Sequence, residues 1–167
     1  YNHPTTGMGN HSYDHATYGT LSANFGATTY NWASMPSNAT AYNADVATLL
    51  YHAGVSVDMN YDPTGSAANT SDSATNAFKT YFKYSESANF KDKASYTTEE
   101  WLTLLRAELD SNRPILSRGT GIQGGHAFVC DGYAAGGGNN DYFHFNWGGS
   151  GYQDGYFYLN DMTPGGY

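Results

Sequence analysis

The chain has 167 residues, a length that suits one domain with a sizeable buried core. Hydrophobic residues make up 40% of the chain and aromatic residues 16%, which excludes a disordered protein. Fifteen acidic residues against seven basic ones give a formal net charge of −8, which argues against nucleic-acid and membrane partners. Cys130 is the one cysteine, so an internal disulfide is excluded.

The first half of the chain favours loops and helices. Residues 1–43 are rich in Thr, Asn, Ser, Tyr and Gly, which predicts loops with short extended pieces. A helix is predicted over Ala44–Gly54, with one apolar face formed by Val46, Leu49 and Leu50. A second helix is predicted over Ser73–Tyr84, capped by Asp72 or Ser73, with a buried side formed by Ala77, Phe78, Tyr81 and Phe82.

The third helix has the clearest pattern. Thr97 or Thr98 caps it, Glu99 and Glu100 lie in its first turn, and Pro114 ends the helical region. Its apolar stripe is formed by Trp101, Leu102, Leu105 and Leu109. The helical part of the chain is therefore expected over residues 1–112.

From residue 113 the hydrophobic period changes to that of strands. Four strands are predicted, over Ile115–Arg118, His126–Tyr133, Tyr142–Trp147 and Tyr156–Asn160. The glycine-rich run Ala134–Asn140 predicts a hairpin connection between two of them. Helices followed by an antiparallel sheet, expected over residues 113–167, predict an α+β fold.

A histidine that opens a strand is the first candidate for chemistry. His126 follows Gly124 and Gly125 and begins the run HAFV, so little side-chain bulk lies beside its ring. A general base needs such exposure and a fixed strand to hold it. A core histidine bonded to a backbone group explains these residues equally well.

The segments that follow tip the balance towards a catalytic histidine. The strand HFNWG, which contains Asn146 and Trp147, comes next, and DGYFYLN begins the strand after it. With GGHAFV and DGY, these segments resemble the streptopain-type, papain-like cysteine peptidases of bacteria, with signatures GGHAFV.DG, H.NWGWGG and DG.F.L. Upstream, GVSVDMNY and GSA resemble that family's GISVDMDYG and GSAG.

The resemblance covers nearly the whole chain and implies one papain-like catalytic domain over 1–167, truncated at both ends. The opening Tyr1–Pro4 resembles the YHNYP run that closes the family's cysteine-bearing helix. The nucleophilic cysteine is then expected about three helical turns before Tyr1, together with the family's oxyanion glutamine, so Gln123 does not take that role. The chain stops at Gly165–Tyr167, before a final strand of the family.

The resemblance also implies roles for single residues. His126 matches the catalytic histidine, and Trp147 matches the tryptophan beside it. Papain itself uses an asparagine to orient the histidine, so either Asn146 or Trp147 is expected to contact His126. Gly125 and Ser66 match positions that line the substrate cleft. Gly149 replaces the family's second tryptophan, which lies near that cleft.

Cys130 is not expected to be the nucleophile. It lies four residues beyond His126 on one strand, which at about 3.3 Å per residue separates the two Cα atoms by ~13 Å. A nucleophile and its base must approach within about 3 Å. Cys130 is therefore predicted to be an inert, buried thiol.

The other polar clusters are expected to be structural. His11 and His15 flank Asp14, but the segment lacks helical periodicity and a third ligand of clear spacing, so no metal site is predicted. His144 and Asp131 are predicted to be structural, and Asp131 lies too far along the strand to contact His126. His3 and His52 show no partner in the sequence.

The sequence thus predicts a cysteine endopeptidase that uses a Cys–His dyad and no cofactor. His126 would be its base and acid, proteins or peptides its substrates, and an upstream segment would supply the cysteine. The resemblance further implies a bacterial zymogen, secreted or at the cell surface or periplasm, with an inhibitory propeptide. The alternative is a non-catalytic module, either a degenerate peptidase that binds peptides or a tyrosine-rich carbohydrate binder.

Overall fold

A computed structural model describes residues 4–121, 124–136 and 140–162. These residues form two compact units that divide between Phe90 and Lys91. The third helix thus belongs to the same unit as the sheet, and the single domain over 1–167 stays a prediction. No helix in the described part of the chain combines the length and apolar character needed to cross a bilayer.

The first unit opens with a β-hairpin. Strands β1 (His11–His15) and β2 (Gly19–Ala23) pair antiparallel, with His11 opposite Ala23 and His15 opposite Gly19. Gly19 has φ of 70°, a left-handed conformation that glycine adopts without strain. A regular hairpin therefore lies where loops with short extended pieces were expected.

Helix α1 spans Ala44–Val55, one residue beyond the predicted end. The Asn43 side chain caps it by accepting a hydrogen bond from the Val46 N–H. The predicted apolar face is wrong at Leu50, whose side chain is 65% exposed. The buried residues lie later in the helix, at His52, Gly54 and Val55.

Helix α2 spans Asp72–Phe82 rather than Ser73–Tyr84. Its N-cap is Ser71 instead of either predicted residue, and Lys83 ends it in a left-handed conformation. Of the predicted buried side, Ala77 is buried, whereas Phe78, Tyr81 and Phe82 are half-buried. Tyr81 and Phe82 pack against a small core formed by Ala23, Phe25 and Val55.

Acid should destabilise the first unit through His52. Burial lowers the pKa of His52 below its ordinary value of 6.5, because the charged ring would lose its hydration. The unfolded chain therefore binds more protons than the folded state below about pH 6.5. The free energy of unfolding therefore decreases as the pH falls from about 6.5 through the pKa of His52 in the folded state. The Tyr30 hydroxyl lies 3.0 Å from His52 Nδ1, and burial raises the pKa of Tyr30 to about 12, so Tyr30 stays neutral.

We expect the free energy of unfolding to fall more steeply from about pH 7 to about pH 5 in the wild type than in a His52→Gln variant. The difference in slope is at most about 1.4 kcal/mol per pH unit, the limit for one proton. Glutamine keeps a partner for the Tyr30 hydroxyl but does not titrate. Urea unfolding at each pH measures both slopes, and parallel curves would contradict a role for His52.

The second unit begins with helix α3, Thr98–Asp110. Thr97, one of the two predicted caps, forms a capping box with Glu100, in which each side chain bonds to the backbone of the other residue. Leu102 and Leu105 are buried along the predicted stripe, with Trp101 and Leu109 half-buried beside them. The third helix is thus found with its predicted cap and its predicted apolar face.

The antiparallel sheet of the second unit has the strand order β3–β4–β5–β6. The strands are β3 (Ile115–Gly121), β4 (Gly124–Ala134), β5 (Tyr142–Asn146) and β6 (Gly155–Phe157). The last strand begins one residue before the predicted Tyr156–Asn160 and ends at Phe157. The chain then turns, and Tyr158 forms an isolated bridge with Asp161. Part of the predicted Ala134–Asn140 hairpin, residues 137–139, lies outside the described ranges.

A β-bulge interrupts the pairing of β4 with β5. Cys130 lies opposite Phe145 and Gly132 opposite His144, which leaves Asp131 as an extra residue on β4. Side chains alternate between the faces of a strand, so an extra residue changes which ones point inward. Cys130 faces the core before the bulge and Tyr133 packs on the core after it.

Candidate active site

His126 lies at the open end of the core-facing side of β4. Along that side follow Phe128, which is 5% exposed, and Cys130, which is fully buried. His126 itself is exposed. Gly124, at the start of the strand, has φ of 118°, which any other residue would adopt only with strain. The side chains on this face of β4 thus change from exposed at His126 to fully buried at Cys130, four residues later.

One hydrogen bond fixes the ring of His126. Its Nε2 lies 2.8 Å from the backbone carbonyl oxygen of Trp147. A carbonyl oxygen only accepts, so Nε2 donates and carries the proton. In the neutral ring the lone pair is then on Nδ1, the atom that can take a proton from a partner.

The neighbouring asparagine acts on the same peptide group and not on the ring. Asn146 Oδ1 accepts a hydrogen bond from the Gly148 N–H at 2.8 Å. That N–H and the Trp147 carbonyl belong to one planar peptide unit. Of the two expected contacts, the structure therefore shows Trp147 beside His126, through its main chain, with Asn146 holding the peptide that accepts from the ring.

The Trp147 side chain packs between the histidine and the core. Its ring centroid lies 6.4 Å from that of His126, with 28° between the planes, and 4.6 Å from that of Phe128. Phe145 and Phe157 also contact it, each with centroids 5.6 Å away. Trp147 Nε1 is buried and, within the described residues, has no hydrogen-bond partner. The indole thus closes one side of the histidine to water.

Asp154 is a neighbour that sequence reasoning missed. Its Oδ1 accepts a hydrogen bond from the Trp147 backbone N–H at 2.9 Å. The sequence offers Asp154 only as the first letter of DGYFYLN, because nothing in a sequence shows which backbone group a carboxylate will reach.

The two predicted cleft residues lie in different units. Gly125 is exposed beside His126, and a Cβ there would meet only the Gly119 carbonyl oxygen, at an ordinary 3.8 Å. The packing around Gly125 therefore does not require a glycine. Ser66 belongs to the first unit, where its Oγ accepts a weak bond from the Asp62 N–H at 3.3 Å. Gln123 and His3 lie outside the described residues.

Cys130 has the character of a core residue. It is fully buried, lies opposite Ile115 and Phe145 in the sheet, and packs in the main core cluster. Burial raises the pKa of its thiol to about 12. Phe128 occupies the same face of β4 between Cys130 and His126. The predicted separation of Cys130 from the histidine follows directly from this arrangement.

The other polar residues form separate contacts. Asp131 Oδ1 lies 2.5 Å from Nδ1 of His144, so the bulged residue pairs with the neighbouring strand and not with His126. His11 Nε2 lies 2.6 Å from Asp58 Oδ1, while His15 is buried and accepts from the Tyr61 N–H. Within the described ranges, no group of three or more His, Cys, Asp or Glu side chains could hold a metal ion.

Comparison with known proteins decides the family. The sequence profile of the Peptidase C10 family matches residues 1–157. The chain belongs to the peptidase C10 family. Within it, the chain is 34% identical to streptopain of Streptococcus pyogenes over 119 residues, which are 71% of the chain and 29% of streptopain. It is 37% identical over 120 residues, 72% of the chain, to the thiol protease/hemagglutinin PrtT of Porphyromonas gingivalis and covers 13% of that protein. The chain thus spans less than a third of either relative.

Two similar solved structures confirm the predicted papain-like α+β fold. The active wild-type interpain A cysteine protease of Prevotella intermedia has a TM-score of 0.85 and 35% identity, over 98% of this chain and 70% of that one. A prointerpain A fragment from the same organism has a TM-score of 0.80 and 35% identity, over 97% of this chain and 52% of that one. Among these relatives of the C10 chain, interpain A is described as a cysteine protease and PrtT as a thiol protease.

Proposed function

We propose that the complete protein is a cysteine endopeptidase in which His126 is the general base and acid. The observation that carries the proposal is the 2.8 Å bond from His126 Nε2 to the Trp147 carbonyl. It holds an exposed imidazole whose basic nitrogen, Nδ1, bonds to none of the described residues and can face a thiol. Membership of a cysteine peptidase family supports the assignment. The nucleophilic cysteine would come from a segment upstream of Tyr1.

The reaction would proceed in two halves. The upstream thiol gives its proton to His126 Nδ1, and the thiolate attacks the peptide carbonyl carbon. The imidazolium then protonates the leaving amine, so the C–N bond breaks and an acyl-enzyme forms. In the second half, His126 takes a proton from water, the resulting hydroxide releases the acyl group, and the thiolate–imidazolium pair is restored.

The neighbouring residues would serve this histidine. Trp147 supplies the carbonyl that fixes the ring, and its indole keeps water from that hydrogen bond, which strengthens it. Asn146 positions the same peptide unit. Gly125 and Ser66 would line the substrate cleft, where a glycine lets an extended peptide approach the backbone closely.

The setting of the enzyme is proposed from its relatives. One solved relative is described as prointerpain A, which supports synthesis as a zymogen with an inhibitory propeptide. The net charge of −8 disfavours nucleic-acid and anionic-membrane partners. We accordingly propose a secreted or surface-exposed bacterial protease whose substrates are proteins or peptides.

The rival function is a degenerate peptidase that only binds peptides. One observation supports this binding module. Cys130, the one cysteine of residues 1–167, is buried and has a raised pKa, so these residues contain no reactive thiol. The residue three turns upstream of Tyr1 discriminates the two. A cysteine there supports the enzyme, and an alanine or serine supports the binding module.

A Cys130→Ala variant of the protein that includes the upstream segment tests the proposal. Removing one small buried thiol should lower the free energy of unfolding by about 1 kcal/mol. The kcat of the folded protein on casein should stay nearly unchanged, and iodoacetamide should still abolish it. Mass spectrometry should then find the label on the upstream cysteine. A folded variant that has lost several orders of magnitude in kcat would mean that Cys130 is the nucleophile.

A further inference from the structure

Asp154, whose carboxylate accepts a hydrogen bond from the Trp147 backbone N–H, has a role in the orientation of His126. A base works only while its ring keeps one orientation and one tautomer, and here both depend on a single backbone carbonyl. Whatever fixes that carbonyl therefore fixes the histidine. Asn146 holds the peptide unit that contains it. The preceding peptide unit, which carries the Trp147 N–H, is held by Asp154.

The loop between these contacts has a conformation that needs a closing bond. Trp147 and Asp154 flank the segment 148–153, in which four residues have positive φ. Two of them are not glycine: Ser150 at 57° and Gln153 at 62°. Such residues are strained by about 1 kcal/mol or more each. Inside the loop the Tyr152 N–H donates to the Gly149 carbonyl at 3.0 Å, and the Trp147–Asp154 bond closes the loop at its two ends.

The carboxylate is suited to this task. A hydrogen bond from an amide to an ionised carboxylate is about twice as strong as one between neutral groups. Asp154 is half-buried and directly precedes β6, whose pairing with β5 places Gly155 opposite Phe145. The oxygen is therefore presented from the residue before a strand that pairs with β5, the strand that Trp147 follows. Both ends of the contact rest on the same sheet.

We propose that Asp154 is a positioning residue for His126. Through the Trp147 backbone it holds the carbonyl in line with Nε2, and so it keeps the proton on Nε2 and the lone pair on Nδ1. This inference rests on the proposed function, since only a base needs a fixed tautomer. The geometry itself can be tested without any nucleophile.

The test is NMR of residues 1–167, with ring nitrogen shifts of His126 read at a pH where the ring is neutral. The wild type should show the proton on Nε2 alone. In Asp154→Ala the proton should distribute over both ring nitrogens, because the carbonyl is no longer held. Asp154→Asn should restore the wild-type pattern, since its amide oxygen can accept the same bond. Asp110→Ala is the matched control: it also removes one carboxylate that accepts one bond, from the Tyr133 hydroxyl.

A second measurement covers the case in which Asp154→Ala does not fold. The Trp147 amide should be protected from hydrogen exchange in the wild type and in Asp154→Asn. A folded Asp154→Ala protein with the proton still on Nε2 alone, or a freely exchanging Trp147 amide in the wild type, would overturn the proposal.

Activity separates this inference from the proposed function. In the protein that includes the upstream cysteine, Asp154→Ala should lower kcat by on the order of 10- to 100-fold with KM little changed, as for a reacting group displaced by up to about 1 Å. An unchanged kcat in the folded variant would contradict Asp154 alone. Full activity without His126 would contradict the function, whatever the NMR shows of the tautomer.

Discussion

Replacing His126 by alanine in the protein that includes the upstream cysteine should lower kcat by several orders of magnitude. The reaction would lose both the base that accepts the thiol proton and the acid that protonates the leaving amine. The fold should persist, because the imidazole is exposed and its main contact is one hydrogen bond to Trp147. Steady-state hydrolysis of casein, with circular dichroism as the check on folding, measures both expectations.

The same variant should change the reactivity of the upstream thiol. Without an imidazolium partner, the pKa of that cysteine should rise towards about 8.5, its ordinary value. Alkylation by iodoacetamide near pH 6 should therefore slow strongly. His144→Ala is the matched control, since His144 lies in the same sheet but pairs with Asp131. Survival of both alkylation and turnover in His126→Ala would show that His126 is a structural residue.

Residues 1–167 alone should have no peptidase activity. Burial raises the pKa of their one thiol, Cys130, to about 12, so the thiol stays protonated at pH 7. Phe128 lies between that thiol and His126 on the same face of β4. A histidine without a thiolate within reach has nothing to activate.

Two assays check this expectation. Hydrolysis of labelled casein should equal the buffer rate, and a disulfide reagent should leave Cys130 unmodified in the native chain. The same reagent should titrate one thiol after unfolding in urea, which serves as the control for the reagent. Hydrolysis by the chain that iodoacetamide abolishes would identify Cys130 as a nucleophile after all.

The sequence predicts the elements whose burial follows a simple period. Helix α3 was found with its cap because Thr97 and Glu100 satisfy each other locally, without help from distant residues. The hairpin of β1 and β2 was missed because HSYDH and GTLSA are polar and mostly open, so hydrophobic alternation is weak there. Leu50 was misplaced because α1 buries its last turn, where His52 and Gly54 do not look like core residues.

The site was predictable to the same limited degree. Glycines before His126 and the later Asn-Trp-Gly run predict His126 and Trp147 as neighbours, and in the structure the two are joined by a hydrogen bond. The group that holds the ring is a backbone carbonyl, however, and every residue carries one, so no residue type could reveal it. Asn146 and Asp154 act on that backbone from two sides, an arrangement that depends on the turn after β5.

The extra residue at Asp131 makes the orientation of the histidine depend on a residue count. Before the bulge, Cys130 and every second residue preceding it on β4 face the core. After the bulge, the alternate set of residues, which includes Tyr133, faces the core. If β4 were regular with every residue kept, Tyr133 in the core would carry His126 to the opposite surface of the sheet, away from the Trp147 carbonyl. Deleting Asp131 would instead leave Cys130 and Tyr133 two positions apart on one face of a regular strand, with His126 still on that face. This position should therefore accept many side chains during evolution, and also the loss of the residue together with its bulge.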